Sequence, residues 1–125
     1  MTRLSIMSIL ALVLGGAALA GCKSAGMGAE TRADITAQMK LAEEPIQACY
    51  AEVLKTNRRV RGRLSVQLVA EANTGQFKSI NVLRDEPKHP ELTRCVVAEI
   101  GKLKLSQPTK SQVQINQPIL LMPND

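Results

Sequence analysis

Residues 62–83, GRLSVQLVAEANTGQFKSINVL, decide the fold. Leu64, Val66, Leu68 and Ala70 alternate with Arg63, Ser65, Gln67 and Glu71, the period of two that marks a half-buried strand. Ala72-Asn73-Thr74-Gly75-Gln76 carries hairpin-turn chemistry, and Phe77 to Leu83 returns as a second strand with Ile80 and Val82 on one face. Upstream, the apolar series Ile46, Cys49, Tyr50, Val53, Leu54 predicts a helix that starts at Glu43-Glu44-Pro45, with proline in its first turn, and ends near Lys55. Ile35, Met39 and Ala42 add a weak helical turn or two from Asp34 onward, and Asn57 to Gly62 is a basic connector. Downstream, Pro90 opens a second helix with Leu92, Cys95, Val96, Ile100 and Leu103 on one stripe, fading after Gly101. Beyond a loop around Pro108, Val113, Ile115, Ile119 and Leu121 alternate as a third strand. Pro118 confines that strand to a sheet edge. The order α-β-β-α-β predicts an α+β fold: a three-stranded antiparallel sheet with two helices on one face and the other face poorly covered or bare.

The amino terminus has a different character. Arg3 precedes an uncharged apolar run from Leu4 to Ala18, and the run ends in Leu19-Ala20-Gly21-Cys22. These four residues resemble the bacterial lipobox. The resemblance implies cleavage before Cys22, diacylglycerol on its thiol and acylation of the new amino group, an anchor of about 0.8 kcal/mol per buried methylene. The run is shorter than the roughly 20 residues a bilayer-spanning helix needs, and Gly15-Gly16 interrupts it. Lys23 follows the cysteine in place of the aspartate that resembles an inner-membrane retention signal, so the implied destination is the outer membrane, facing the periplasm. The chain then divides into a signal peptide, 1–21, a flexible tether, 22–33, and one domain, 34–125. Removing the signal takes Arg3 and lowers the net charge from +5 to +4. The core must be aliphatic, since Tyr50 and Phe77 are the only aromatic residues.

With Cys22 taken by lipid, Cys49 and Cys95 remain as a pair in an oxidising compartment. Each lies on the apolar stripe of a predicted helix, and a disulfide between them is expected. A zinc site completed by His89 lacks paired ligand spacing, and a redox pair lacks Cys-x-x-Cys. No metal and no cofactor is expected.

Further residues carry a second resemblance: Ile46 to Tyr50 (IQACY), Gly62-Arg63-Leu64-Ser65-Val66, Thr74-Gly75-Gln76-Phe77, Cys95-Val96-Val97, and Pro118-Ile119-Leu120. Over residues 35–122 they look like the carboxy-terminal domain of gliding-motility and related envelope proteins of myxobacteria, itself similar to the TonB carboxy-terminal fold. The resemblance implies the same element order, a bridge between Cys49 and Cys95, and a binding role without catalysis. TonB adds a strand of its receptor to its own sheet edge. The chain lacks TonB's long proline-rich spacer, so energy transduction is not implied. Leu103 to Pro108 also departs from the family, having no aromatic residue.

The candidate binding edge is therefore the third strand, at Gln112, Gln114, Ile115, Asn116 and Gln117, where unpaired backbone can meet an extended envelope protein or peptide. The basic run Arg58, Arg59, Arg61, Arg63 reads either as a contact for lipid phosphates or an acidic partner, or as a solvated connector. Scarce aromatics disfavour nucleic-acid binding. A lone His89 and scattered carboxylates offer no nucleophile with an orienting base, so no enzyme is expected. The expected function is a membrane-anchored binding module of the cell envelope; the alternative is a passive structural lipoprotein.

Overall fold

The alternation through residues 62–70 becomes the central strand of the sheet. In the computed structural model, which describes residues 28–123, β1 (Gly62–Ala70) buries Leu64, Val66, Leu68 and Ala70 completely. β2 (Phe77–Asp85) and β3 (Val113–Leu121) pair with it antiparallel on either side, in the order β2-β1-β3. α1 (Ala29–Thr56) and α2 (Pro90–Ile100) complete the α-β-β-α-β order of an α+β fold. The buried residues of both helices join those of the sheet in a single aliphatic core around Tyr50 and Phe77. Tyr50 is the one core residue with a polar end. Its hydroxyl donates to the Val60 carbonyl at 2.5 Å, and burial pushes the phenol above its usual pKa against the opposing pull of Arg61.

α1 corrects the sequence reading. The helix does not begin at Glu43-Glu44-Pro45; it runs unbroken through Pro45 for 28 residues, about 42 Å at the standard rise. Its first residues, Ala29 to Ala33, occupy part of the stretch expected to be tether. Pro45 cannot donate to the Leu41 carbonyl, but Leu41 is 68% exposed, on the solvent side of the helix. What carries the helix past the proline is its stripe: Ile35, Met39, Ala42, Ile46, Cys49, Tyr50 and Val53 are all buried. At about 1.5 kcal/mol or more for each large side chain, that burial outweighs the roughly 3 kcal/mol cost of an internal proline. Polar contacts fix the amino-terminal turns as well. The Asp34 carboxylate accepts the backbone N–H groups of Ser106 (3.2 Å) and Gln107 (2.9 Å), and the Gln38 amide donates to the Ser106 hydroxyl at 2.9 Å.

The connector between α2 and β3 has no regular structure beyond an isolated bridge from Lys104 to Gln76, yet its backbone is held closely. The Gln76 amide donates to the carbonyls of Gly101 (2.9 Å) and Leu103 (3.1 Å), closing the end of α2. Leu105 donates its N–H to Gly75, Phe77 to Leu103 and Asn73 to Thr109. Gly75 has φ +72°, and a Cβ there would lie 2.9 Å from the Cβ of Leu105, so the turn needs glycine for conformation and for space. Gly62, at φ +129°, lets Glu86 approach closely enough for its carboxylate to accept the Arg63 N–H at 2.9 Å.

β2 is less regular than expected. Two register shifts interrupt its pairing with β1, and Ser79 within it adopts φ +53°, the mark of bulged backbone. Ile80 packs against the core, as its predicted face requires, but Val82 is 40% exposed at the rim of the sheet. The face away from the helices presents Arg63, Ser65, Gln67 and Val69 of β1 beside Gln114, Asn116, Pro118 and Leu120 of β3. It is polar along most of its length, and a Gln67 to Asn116 amide bond of 3.2 Å crosses it.

Candidate functional site

β3 is an edge strand, and the backbone hydrogen bonds decide which of its groups are free. The Arg63 carbonyl accepts from Glu86 N–H at 3.1 Å, on the β2 side of β1. Backbone groups alternate sides along a strand, so Arg63, Ser65, Gln67 and Val69 turn theirs toward β2 and the even-numbered residues turn theirs toward β3. The β1–β3 register is unbroken from Gly62↔Leu121 to Ala70↔Val113 and sets Pro118 opposite Ser65. The nitrogen of Pro118 therefore points away from the sheet, where its missing hydrogen breaks no bond of the ladder. Gln114, Asn116 and Leu120 share that parity and aim their N–H and C=O groups outward. Ile115 and Gln117 bond to β1 instead.

The five candidate edge residues thus separate. Gln114 and Asn116 supply outward backbone and exposed side chains. Ile115 is a core residue, 3% exposed, opposite Leu68. Gln112 precedes the strand. Gln117 is half-buried, and its amide donates to the outward carbonyl of Pro118 at 3.1 Å.

Beside this edge runs a groove the sequence reading missed. Met39, Glu43, Ile46 and Gln47 of α1 face Gln117 to Leu120 of β3 across a cavity of about 270 Å3. Its α1 wall belongs to the turns that lie on both sides of Pro45. The signal was present: the stripe Ile35, Met39, Ala42, Ile46, Cys49 keeps its spacing of four and three straight across the proline. An extended segment laid against β3 would meet outward backbone from Gln114, Asn116 and Leu120 and, at every second residue, the apolar side chains of this groove.

Cys49 and Cys95 are bonded, joining α1 to α2 with Cα atoms 5.9 Å apart. His89 is the N-cap of α2: its Nδ1 accepts the Leu92 N–H at 3.2 Å. Asp85 receives the Lys88 N–H and the Thr93 hydroxyl in the same turn. Among the described residues no group of three or more His, Cys, Asp and Glu side chains could hold a metal ion, and no helix is long and apolar enough to cross a membrane. Cys22 and residues 1–21, the expected signal peptide, lie outside the described residues.

Comparison with protein-family models, curated proteins and solved structures finds no match to this chain.

Proposed function

We propose that this chain is a lipid-anchored, non-catalytic binding module of the cell envelope, held at the outer membrane through Cys22 and facing the periplasm. It takes an extended segment of an envelope protein as a fourth strand beside β3. The observation that carries this reading is the outward backbone of Gln114, Asn116 and Leu120 set next to the groove between β3 and α1. The resemblance to the myxobacterial and TonB carboxy-terminal domains points the same way. A passive structural role draws support from Pro118, which interrupts the row of outward donors in the manner of a protected edge.

A photoreactive amino acid at Gln114, activated in native membranes and followed by mass spectrometry, tests strand addition. Asn116→Pro is the companion variant. It removes an outward N–H and the side-chain bond from Gln67 while leaving every backbone bond to β1 in place, whereas proline at Ile115 would break the ladder. A defined partner lost in Asn116→Pro supports the binding edge; an adduct indifferent to that proline, or none, leaves the passive role. The anchor has its own test. Label from a clickable fatty acid is expected in the native chain and absent in Cys22→Ala, and retained label would refute lipidation at that residue.

A further inference from the structure

The strands and helices share two poles. The carboxy-terminal ends of α1, β2 and β3 meet the start of β1 and α2 at one pole, while Ala29 lies at the other, about 42 Å away along α1. Between Val53 and Gly62 the first pole gathers Lys55, Arg58, Arg59 and Arg61 without a single carboxylate, and Arg63 follows. Among the described residues, Arg58, Arg59 and Arg61 make no ion pair, and Lys55 meets only Glu52 on the adjacent turn. Glu86, the nearest acidic residue of the neighbouring loop, is occupied by the Arg63 N–H and the Arg84 guanidinium.

Three of these cations, Lys55, Arg58 and Arg61, line an open pocket of about 540 Å3. Lys55, Arg58 and Arg61 form its polar wall, and Ala51, Leu54 and Met122 form its apolar floor. Met122 is 50% exposed, and Leu120, nearby on β3, is 60% exposed. Every polar side chain in the lining is a donor and none is an acceptor. The matching ligand carries acceptors alone at its polar end, with hydrocarbon immediately beyond. A peptide brings its own N–H groups, for which these side chains offer no partner, and a nucleotide base finds no aromatic surface. A phosphodiester followed by glycerol and acyl methylenes meets both requirements.

We propose that this pole docks on the surface of an anionic phospholipid bilayer, with headgroup phosphate held by Lys55, Arg58 and Arg61 and Met122 directed at the acyl boundary. Acyl chains give firmer anchorage when a basic patch joins them. With lipid on Cys22, six residues before Gly28, the two contacts lie at opposite ends of α1 and set the helix along the membrane. The site is independent of strand addition at β3, and its failure would leave that reading untouched.

The test uses the full chain with a photoreactive amino acid at Met122, added to vesicles of phosphatidylcholine alone or mixed with phosphatidylglycerol, with adducts read by mass spectrometry. The expected result is a lipid adduct that requires phosphatidylglycerol, weakens with salt, and falls about fivefold for each of Arg58→Gln and Arg61→Gln. Both arginines are exposed, and circular dichroism verifies that the variants keep the fold. An equal adduct on phosphatidylcholine, no adduct, or a yield unchanged by both variants overturns the proposal. So does competition by a soluble polyglutamate peptide that itself becomes crosslinked, which would assign the pocket to an acidic protein.

Discussion

Removing the bridge between Cys49 and Cys95 should cost this domain a large part of its stability, and the size follows from topology. The two cysteines stand 46 residues apart, so the bond closes a loop containing the end of α1, the β1–β2 hairpin and the start of α2. In the chain-entropy account, a loop of that length restricts the unfolded state by about 4 kcal/mol. That is roughly a thousandfold in the unfolding equilibrium. A domain of this size unfolds with an entropy near ~0.2 kcal/mol/K, so the midpoint of thermal unfolding should fall by about 20 °C. The assay is urea and thermal unfolding of three species: oxidised native chain, reduced native chain, and Cys49→Ala with Cys95→Ala. The first two isolate the covalent restraint, and the last adds the loss of the buried Cys49 sulfur. Native spectra should be indistinguishable, because the bond acts mainly on the unfolded chain. A loss of ~1 kcal/mol or less on reduction would refute the loop argument. Loss of native tertiary signal on reduction would show instead that the bridge holds the two helices in place.

Two further outcomes follow from the packing and the hydrogen bonds. Gly75→Ala should destabilise by about 3 kcal/mol in urea unfolding, adding the left-handed backbone penalty to the contact forced on Leu105, while an alanine at exposed Gly28, with nothing near its Cβ, should be close to neutral. Partial burial pushes the Asp34 carboxyl upward, but the N–H groups of Gln107 and Ser106, with the side chains of Ser106 and Gln38, outweigh it and hold the pKa below the ordinary 3.8. A depressed native pKa means that the unfolded chain binds the proton first, so this contribution is complete at neutral pH and is lost as the pH falls below about 4 through the lower native value. Asp34→Asn should therefore flatten the acid limb of the stability profile, and a limb of unchanged steepness would remove Asp34 from the account.

What the sequence showed and what it hid have one physical division. β1, the turn at Gly75 and the edge position of β3 were legible because each rests on a local rule: a period of two, a glycine at positive φ, a proline that no central strand accepts. The bulge at Ser79 was not, since nothing in Phe77 to Leu83 distinguishes a serine in left-handed backbone from one in an ordinary strand. α1 was misread where a local rule met a tertiary one. Glu43-Glu44-Pro45 suits a helix start, and reading it so severed Ile35, Met39 and Ala42 from the stripe they continue. The same error concealed half of the candidate site. Gln114 and Asn116 were found because an edge is a property of one strand, but a groove needs two walls, and Met39 and Glu43 become a wall only when the helix passes through Pro45. The proline is thus a structural test of the groove. Pro45→Ala restores a donor to the Leu41 carbonyl and should stabilise α1 without altering the groove's lining. If the groove instead depends on a distortion centred at the proline, that same substitution would weaken partner capture at Gln114 while strengthening the fold.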